Sequence, residues 1–237
     1  MTKSIVVFLI GLMNFPNVLA STDSIGMISM SFLQTELMPL RFETQIRRFE
    51  KSDKINPPDK NAILFIGSSS IGKWKTLKSD MAPLKVINRG FGGSQMTDVL
   101  YYLDRIVIPY QTQKIVIYEG DNDIAHGKTP EQFLENCLKF VKKVHTALPN
   151  TTLYFLSIKP SIARYHLWEQ LQRANSLLAN YTKKHDFLEF IDISQAMHDD
   201  MGQLRQDIFQ SDGLHLNAAG YQIWTTIIKQ RIQFEPK

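Results

Sequence analysis

The sequence predicts an α/β protein, a three-layer α/β/α sandwich around a five-stranded parallel sheet. Two observations carry this. Short apolar runs rich in β-branched and aromatic residues alternate along the chain with segments of helical spacing. The runs also lack polar alternation, as expected where helices cover both faces of a sheet. A chain of 237 residues is long enough for one such domain with a sizeable core.

The first twenty residues stand apart from this pattern. Lys3 gives a basic start, "SIVVFLIGLMNF" is an apolar run too short for a membrane span, and Val18 and Ala20 are small residues before a cleavage point. Residues 1–20 read as a signal peptide. The mature protein is then expected to be exported, periplasmic or extracellular, with no stable membrane span after cleavage. Residues 21–58 read as an N-terminal helical extension, in which "LMPLRFETQIRRFEKSDK" has helical spacing and "NPPD" ends it.

The domain is expected over residues 59–237. Its strands are "AILFIG", "KVINRG", "KIVIYEG", "TLYFLSIKP" and "LEFIDI". Helical spacing fills the gaps in "SQMTDVLYYLDRIV", "PEQFLENCLKFVKKVHTAL" and "HLWEQLQRANSLLANYTKKH", and "NAAGYQIWTTIIKQRI" closes the chain. Right-handed crossovers leave few topologies, of which the flavodoxin-like strand order fits best.

Composition narrows the function. Hydrophobic residues make up 43% and charged residues 21%, a globular balance. The net charge of +4 is small and no block of like charge occurs, which argues against a nucleic-acid partner. Cys137 is the only cysteine, so no internal disulfide forms, and its helical setting suits an apolar packing role. No Cys/His spacing of metal-binding type is present, and no cofactor or metal is expected. Asp121 and Asp123 read as helix-capping and turn residues rather than a cation site. The oligomeric state is not legible.

In parallel sheets, functional groups gather beyond the carboxyl ends of the strands. Those ends read "GSSS", "NRGFGGSQ", "EGDND" and "SIKPS", and "SDGLHLNAAGY" precedes the last helix. A serine on a strand-to-helix turn needs a base and a group to orient it. His215 suits the base and Asp212 the orienting carboxylate, since three residues on a tight turn let the carboxylate reach the nearer imidazole nitrogen. Donors for a developing oxyanion are the backbone N–H of the nucleophile, that of Gly93, and the side-chain amide of Asn122. Trp168, just after strand four, is the tryptophan best placed to line a pocket, although packing is the commoner role.

The four blocks "FIGSSS", "NRGFGGS", "GDND" and "DGLH" together resemble the SGNH hydrolases, also called GDSL esterases and lipases, from about Ile63 to Tyr221. The resemblance places the nucleophile on Ser69, the oxyanion glycine on Gly93, the amide on Asn122, and the Asp/His pair on Asp212 and His215. It implies a serine esterase acting on a small-molecule ester or lipid, either a short acyl ester or a lysophospholipid. A carbohydrate O-acetyl esterase is the alternative, and a non-catalytic binding module on the same fold is the rival of another kind. One block departs from the family: Ser68 stands where Gly-Asp-Ser is usual, and its hydroxyl suits support of the turn.

Overall fold

The computed structural model describes residues 39–233. The leader-like residues 1–20 and the first part of the extension lie outside them.

The five strands are β1 (Ile63–Gly67), β2 (Val86–Gly90), β3 (Lys114–Tyr118), β4 (Thr152–Leu156) and β5 (Leu188–Ile191). All pair in parallel, in the order β2-β1-β3-β4-β5. This is the flavodoxin-like order that the sequence predicts. The order reverses between β1 and β3, which opens a crevice at their carboxyl ends.

Alternation along each strand decides which layer a side chain enters. Leu64, Ile66, Ile115, Ile117, Leu153 and Phe155 point to one face. There they meet α1 (Glu43–Ile55), α2 (Met96–Ile106), α3 (Pro130–Ala147) and α4 (Trp168–Thr182). Ile63, Phe65, Val116, Tyr118, Tyr154 and Leu156 point to the other face, which α5 (Ala218–Gln233) and the short turns after β1 cover. Both faces being dry explains why the strands read as continuous apolar runs.

Helix starts follow local chemistry. Thr129 caps α3, accepting from Gln132 N at 3.2 Å, while the Gln132 side chain accepts from Thr129 N at 2.9 Å; Pro130 stands at the first helical position. Cys137 is fully buried in that helix, as its setting predicts. The extension contributes to the core as well as covering it: Phe42 and Ile46 join the first cluster, and residues from Pro39 onward form one compact unit with the sheet. Among the described residues no helix is long and apolar enough to cross a membrane.

The end of β2 abuts the turn after β1. A Cβ on Gly90 would lie 2.2 Å from the backbone nitrogen of Gly72, so only glycine permits this approach. Gly90→Ala is expected to destabilise the protein by about 3 kcal/mol or more. Urea unfolding reads this as a lower midpoint at unchanged slope. A loss below about 1 kcal/mol would show that strand and turn separate freely.

Candidate active site

The site is built at the reversal of strand order. Just past β1, a single helical turn, Ser69–Gly72, begins with Ser69. Its neighbours are turned inward: Ser68 is 2% exposed and Ser70 is 3% exposed, whereas Ser69 is only partly buried. Of the three consecutive hydroxyls, Ser69 is the one presented to the crevice. Tyr221 of α5 donates to the Ser70 carbonyl at 3.0 Å and fixes the turn from behind.

His215 approaches from 146 positions along the chain, with Nε2 at 3.0 Å from Ser69 Oγ. Its Nδ1 lies 2.5 Å from Asp212 Oδ2. The other carboxylate oxygen of Asp212 accepts the backbone N–H groups of Leu214 at 3.0 Å and His215 at 2.9 Å. These donors, the His215 ring first, hold the Asp212 carboxyl well below the usual carboxylate range. Asp212 is therefore a fixed anion that makes Nδ1 the protonated nitrogen and leaves Nε2 free to accept from Ser69. Lys73 Nζ stands 3.2 Å from the same Nδ1 and places a positive group at the rim.

The other predicted residues converge on the same crevice. Gly93 takes a left-handed conformation, φ +84°, on the loop after β2. Asn122 lies in the short helix Asp121–Ala125 after β3 and donates through Nδ2 to Ser94 O at 2.9 Å. Its Oδ1 accepts from both terminal nitrogens of Arg164, each at 3.1 Å. A guanidinium only donates, so the amide oxygen must face Arg164 and the amide nitrogen must face the Ser94 loop. Among the described residues the second N–H of Asn122 has no hydrogen-bond acceptor.

Arg164 was not singled out by the sequence, and Asp121 does something other than cap a turn. Arg164 Nη1 lies 2.6 Å from Asp121 Oδ1, and the buried Lys159 lies 3.5 Å from Asp121 Oδ2. Burial lowers the Lys159 pKa and the Asp121 charge opposes that shift. Asp123 does cap a helix, but that of α2: it accepts Met96 N at 3.1 Å and pairs with Lys128 at 2.7 Å. The signal for Lys159 and Arg164 was their position, on "SIKPSIAR" directly after β4, at the edge where functional groups gather. Behind the Gly93 loop, Glu119 is fully buried and accepts from Ser94 Oγ at 2.5 Å. Burial, with the nearby Asp123 charge, pushes its carboxyl well above the usual range.

Trp168 lines a cavity of about 450 Å³ with Tyr165, Gln172 and His198, and none of Ser69, Asp212 or His215 borders it. Trp74, by contrast, is buried and stacked on Tyr221 at 5.0 Å. Among the described residues no three His, Cys, Asp or Glu side chains gather into a metal-holding group.

Residues 66–223 match the GDSL-like Lipase/Acylhydrolase family. No curated protein matches the chain in sequence. Solved structures share its fold. One, provisionally described as a platelet activating factor from Streptococcus pneumonia, is 24% identical, with a TM-score of 0.72 over 86% of this chain and 99% of its own. A GDSL-like lipase from Bacteroides thetaiotaomicron is 20% identical, with a TM-score of 0.67 over 79% of this chain and 97% of its own. A mutant of an acetyl-xylooligosaccharide esterase from Geobacillus Stearmophilus is 15% identical, with a TM-score of 0.62 over 75% of this chain and 96% of its own.

Arg164 sets the direction of the Asn122 amide, so Arg164→Ala is expected to lower kcat on an ester about tenfold or more while moving KM little. Asn122→Ala and the double variant should fall no further than the larger single loss, because both act through one donor. Additive losses in steady-state kinetics would refute the link. Glu119 gives a pH prediction. The folded state keeps its proton, while the unfolded chain releases it above about pH 4.5. Stability should therefore fall as pH rises above that value, by up to about 1.4 kcal/mol per pH unit, until the folded group also ionises. Glu119→Gln should remove this slope in urea titrations run from pH 5 upward.

Proposed function

This chain belongs to the GDSL-like lipase/acylhydrolase family, and we propose that it hydrolyses carboxylic esters with Ser69 as nucleophile, His215 as general base and acid, and Asp212 as the orienting anion. The observation that carries this reading is the 3.0 Å approach of His215 Nε2 to Ser69 Oγ, made while Asp212 holds Nδ1.

Each step follows from that geometry. Ser69 Oγ bonds to the ester carbonyl carbon as its proton passes to His215 Nε2, and the carbonyl π electrons move onto oxygen. The oxyanion is stabilised by the backbone N–H groups of Ser69 and Gly93 and by the second N–H of Asn122. Arg164 withdraws electron density from the Asn122 carbonyl oxygen, which makes that N–H a stronger donor. Collapse re-forms the carbonyl and breaks the bond to the alcohol oxygen, which leaves with the proton from Nε2. Water then attacks the acyl-serine by the same route. It gives a proton to Nε2, and Ser69 recovers that proton as the acid departs. No cofactor enters any step.

A short acyl ester or a lysophospholipid is the substrate this open site suits first. A carbohydrate O-acetyl ester is the second reading. It is favoured by the cavity beside Tyr165 and Trp168, whose aromatic faces and amide groups suit a sugar. The Geobacillus relative in fold is described as an acetyl-xylooligosaccharide esterase. With its leader-like start, the protein is assigned to the exported class.

Ser69→Ala is expected to abolish labelling by a fluorophosphonate probe and to lower nitrophenyl acetate hydrolysis about 10⁴-fold or more. Ser70→Ala should keep both. Labelling of Ser70 in peptide mass mapping would move the nucleophile, and absence of labelling on folded protein would favour the binding-module rival.

A further inference from the structure

We infer that Lys73 binds an anionic group on the alcohol half of the ester, so that the preferred substrates are esters whose leaving alcohol carries a phosphate or a carboxylate. This rests on the serine-esterase reading above.

Lys73 is tied to the serine turn. It closes the helical turn that Ser69 opens, and its backbone N–H donates to Ser69 O at 2.8 Å. Its exposed side chain reaches His215, with Nζ 3.2 Å from Nδ1. That contact leaves the ammonium unsatisfied. Nδ1 directs its proton to Asp212, 2.5 Å away, and a protonated ring nitrogen accepts nothing.

The other charges of the crevice are matched. Asp121 stands between Lys159 at 3.5 Å and Arg164 at 2.6 Å. Asp212 accepts from the His215 ring and from two backbone N–H groups. Among the described residues Lys73 forms no ion pair with a carboxylate, and its one side-chain hydrogen-bond contact is the His215 ring. Water solvates it at the rim. A substrate anion there would replace those contacts with charge-assisted hydrogen bonds between opposite charges, roughly twice as strong as neutral ones.

The chemistry decides which half of the ester meets this cation. The departing alcohol oxygen takes its proton from His215 Nε2. Lys73 stands at the other nitrogen of the same imidazole ring. A substituent a few bonds beyond the alcohol oxygen therefore comes within reach of Nζ. The pairing also bears on the barrier. When Ser69 attacks, His215 becomes an imidazolium beside the Lys73 ammonium, and the two like charges repel. An anion held by Lys73 offsets that repulsion only once the imidazolium has formed, so it favours the transition state over the bound ester. The selectivity is expected in kcat as well as in KM.

The test compares kcat/KM for 1-acetylglycerol 3-phosphate and 1-acetylglycerol, which differ only in the phosphate of the alcohol. The wild type should prefer the phosphate about tenfold, the scale of one hydrogen bond to a charged group. The preference should weaken as salt is raised from about 0.01 M to about 1 M. Lys73→Met, which keeps the length of the side chain, should bring the ratio near one, and Lys73→Glu should bring it below one. Lys75→Met, at an exposed lysine two residues on, should keep the wild-type ratio. A second pair, 3-acetoxypropanoate and 3-acetoxypropanamide, presents a carboxylate in place of the phosphate. A gain in one pair alone assigns Lys73 to that anion, and a gain in both assigns it to anions in general; each supports the inference. The inference is overturned if the wild type shows no preference in either pair. It is equally overturned if Lys73→Met lowers both members of a pair alike, which would make Lys73 a positioning residue for His215. A charge on the acyl half, as in nitrophenyl hemisuccinate against nitrophenyl butyrate, should bring no such gain, and an equal gain there also overturns it. If the wild type hydrolyses none of these esters and Ser69 resists fluorophosphonate, the serine-esterase reading itself falls; hydrolysis without charge preference removes this inference alone.

Discussion

One hydrogen bond, between His215 Nε2 and Ser69 Oγ, closes a gap of 146 residues, and the rest of the site has meaning only while it is closed. Neither side chain is held by that bond alone. Asn217, two residues after His215, caps α5 by accepting from Gly220 N, and it donates to the carbonyls of Asp207 and Phe209. Gln210 N donates to the His215 carbonyl at 2.7 Å. The same helix then reaches the serine turn, where Tyr221 bonds Ser70 and stacks on Trp74. His215 and Ser69 are thus referenced to a single rigid element. A catalytic hydrogen bond tolerates little displacement, and a shared helix removes one source of it.

The Asn122 side of the crevice is fixed by charge instead of by packing. Lys159 and Asp121 are nearly inaccessible, and Arg164 joins them at the surface. Burying ions costs several kcal/mol each, and pairing returns only part of that. A cluster of two cations on one carboxylate is a poor route to stability. Its use is directional: the guanidinium fork is planar and rigid, so it sets the plane of the Asn122 amide. Glu119 meets a nearby burial differently: burial, with the Asp123 charge, holds its carboxyl well above the usual range. Ser94 touches both: its hydroxyl donates to Glu119 and its carbonyl accepts from Asn122.

The strands and their order were legible because burial on both faces writes itself as unbroken apolar runs, as in "KIVIYEG". The grouping of Ser69, His215 and Asp212 was legible because each lies in a short block whose neighbours carry the turn. Arg164 was not, because its partners are 42 and 43 residues away and its own surroundings, "SIARYH", have no local signature. Asp121 looked like a turn residue for the same reason: its partners lie on another loop. The extension was legible as a helix, but its contacts with the loop after β2 were not. Phe42 meets Phe91 and Arg41 meets Gly93 only after the sheet has formed.

Ser68, where the family usually carries an aspartate, fits the same physical picture. The turn uses the backbone of this residue rather than its side chain. Its N–H donates to Tyr118 O at 3.2 Å, and its carbonyl accepts from Ile71 at 3.1 Å and Gly72 at 3.0 Å. Its side chain makes no capping hydrogen bond to the helical turn that follows. At 2% exposure an aspartate here would add a buried anion beside a crevice that already holds Asp121. Such a charge is tolerable only with a dedicated partner. A serine keeps the volume small and the site neutral at that point. The loss of the aspartate therefore removes a requirement from the turn while leaving the placement of the Ser69 hydroxyl to the backbone, which the sheet has already fixed.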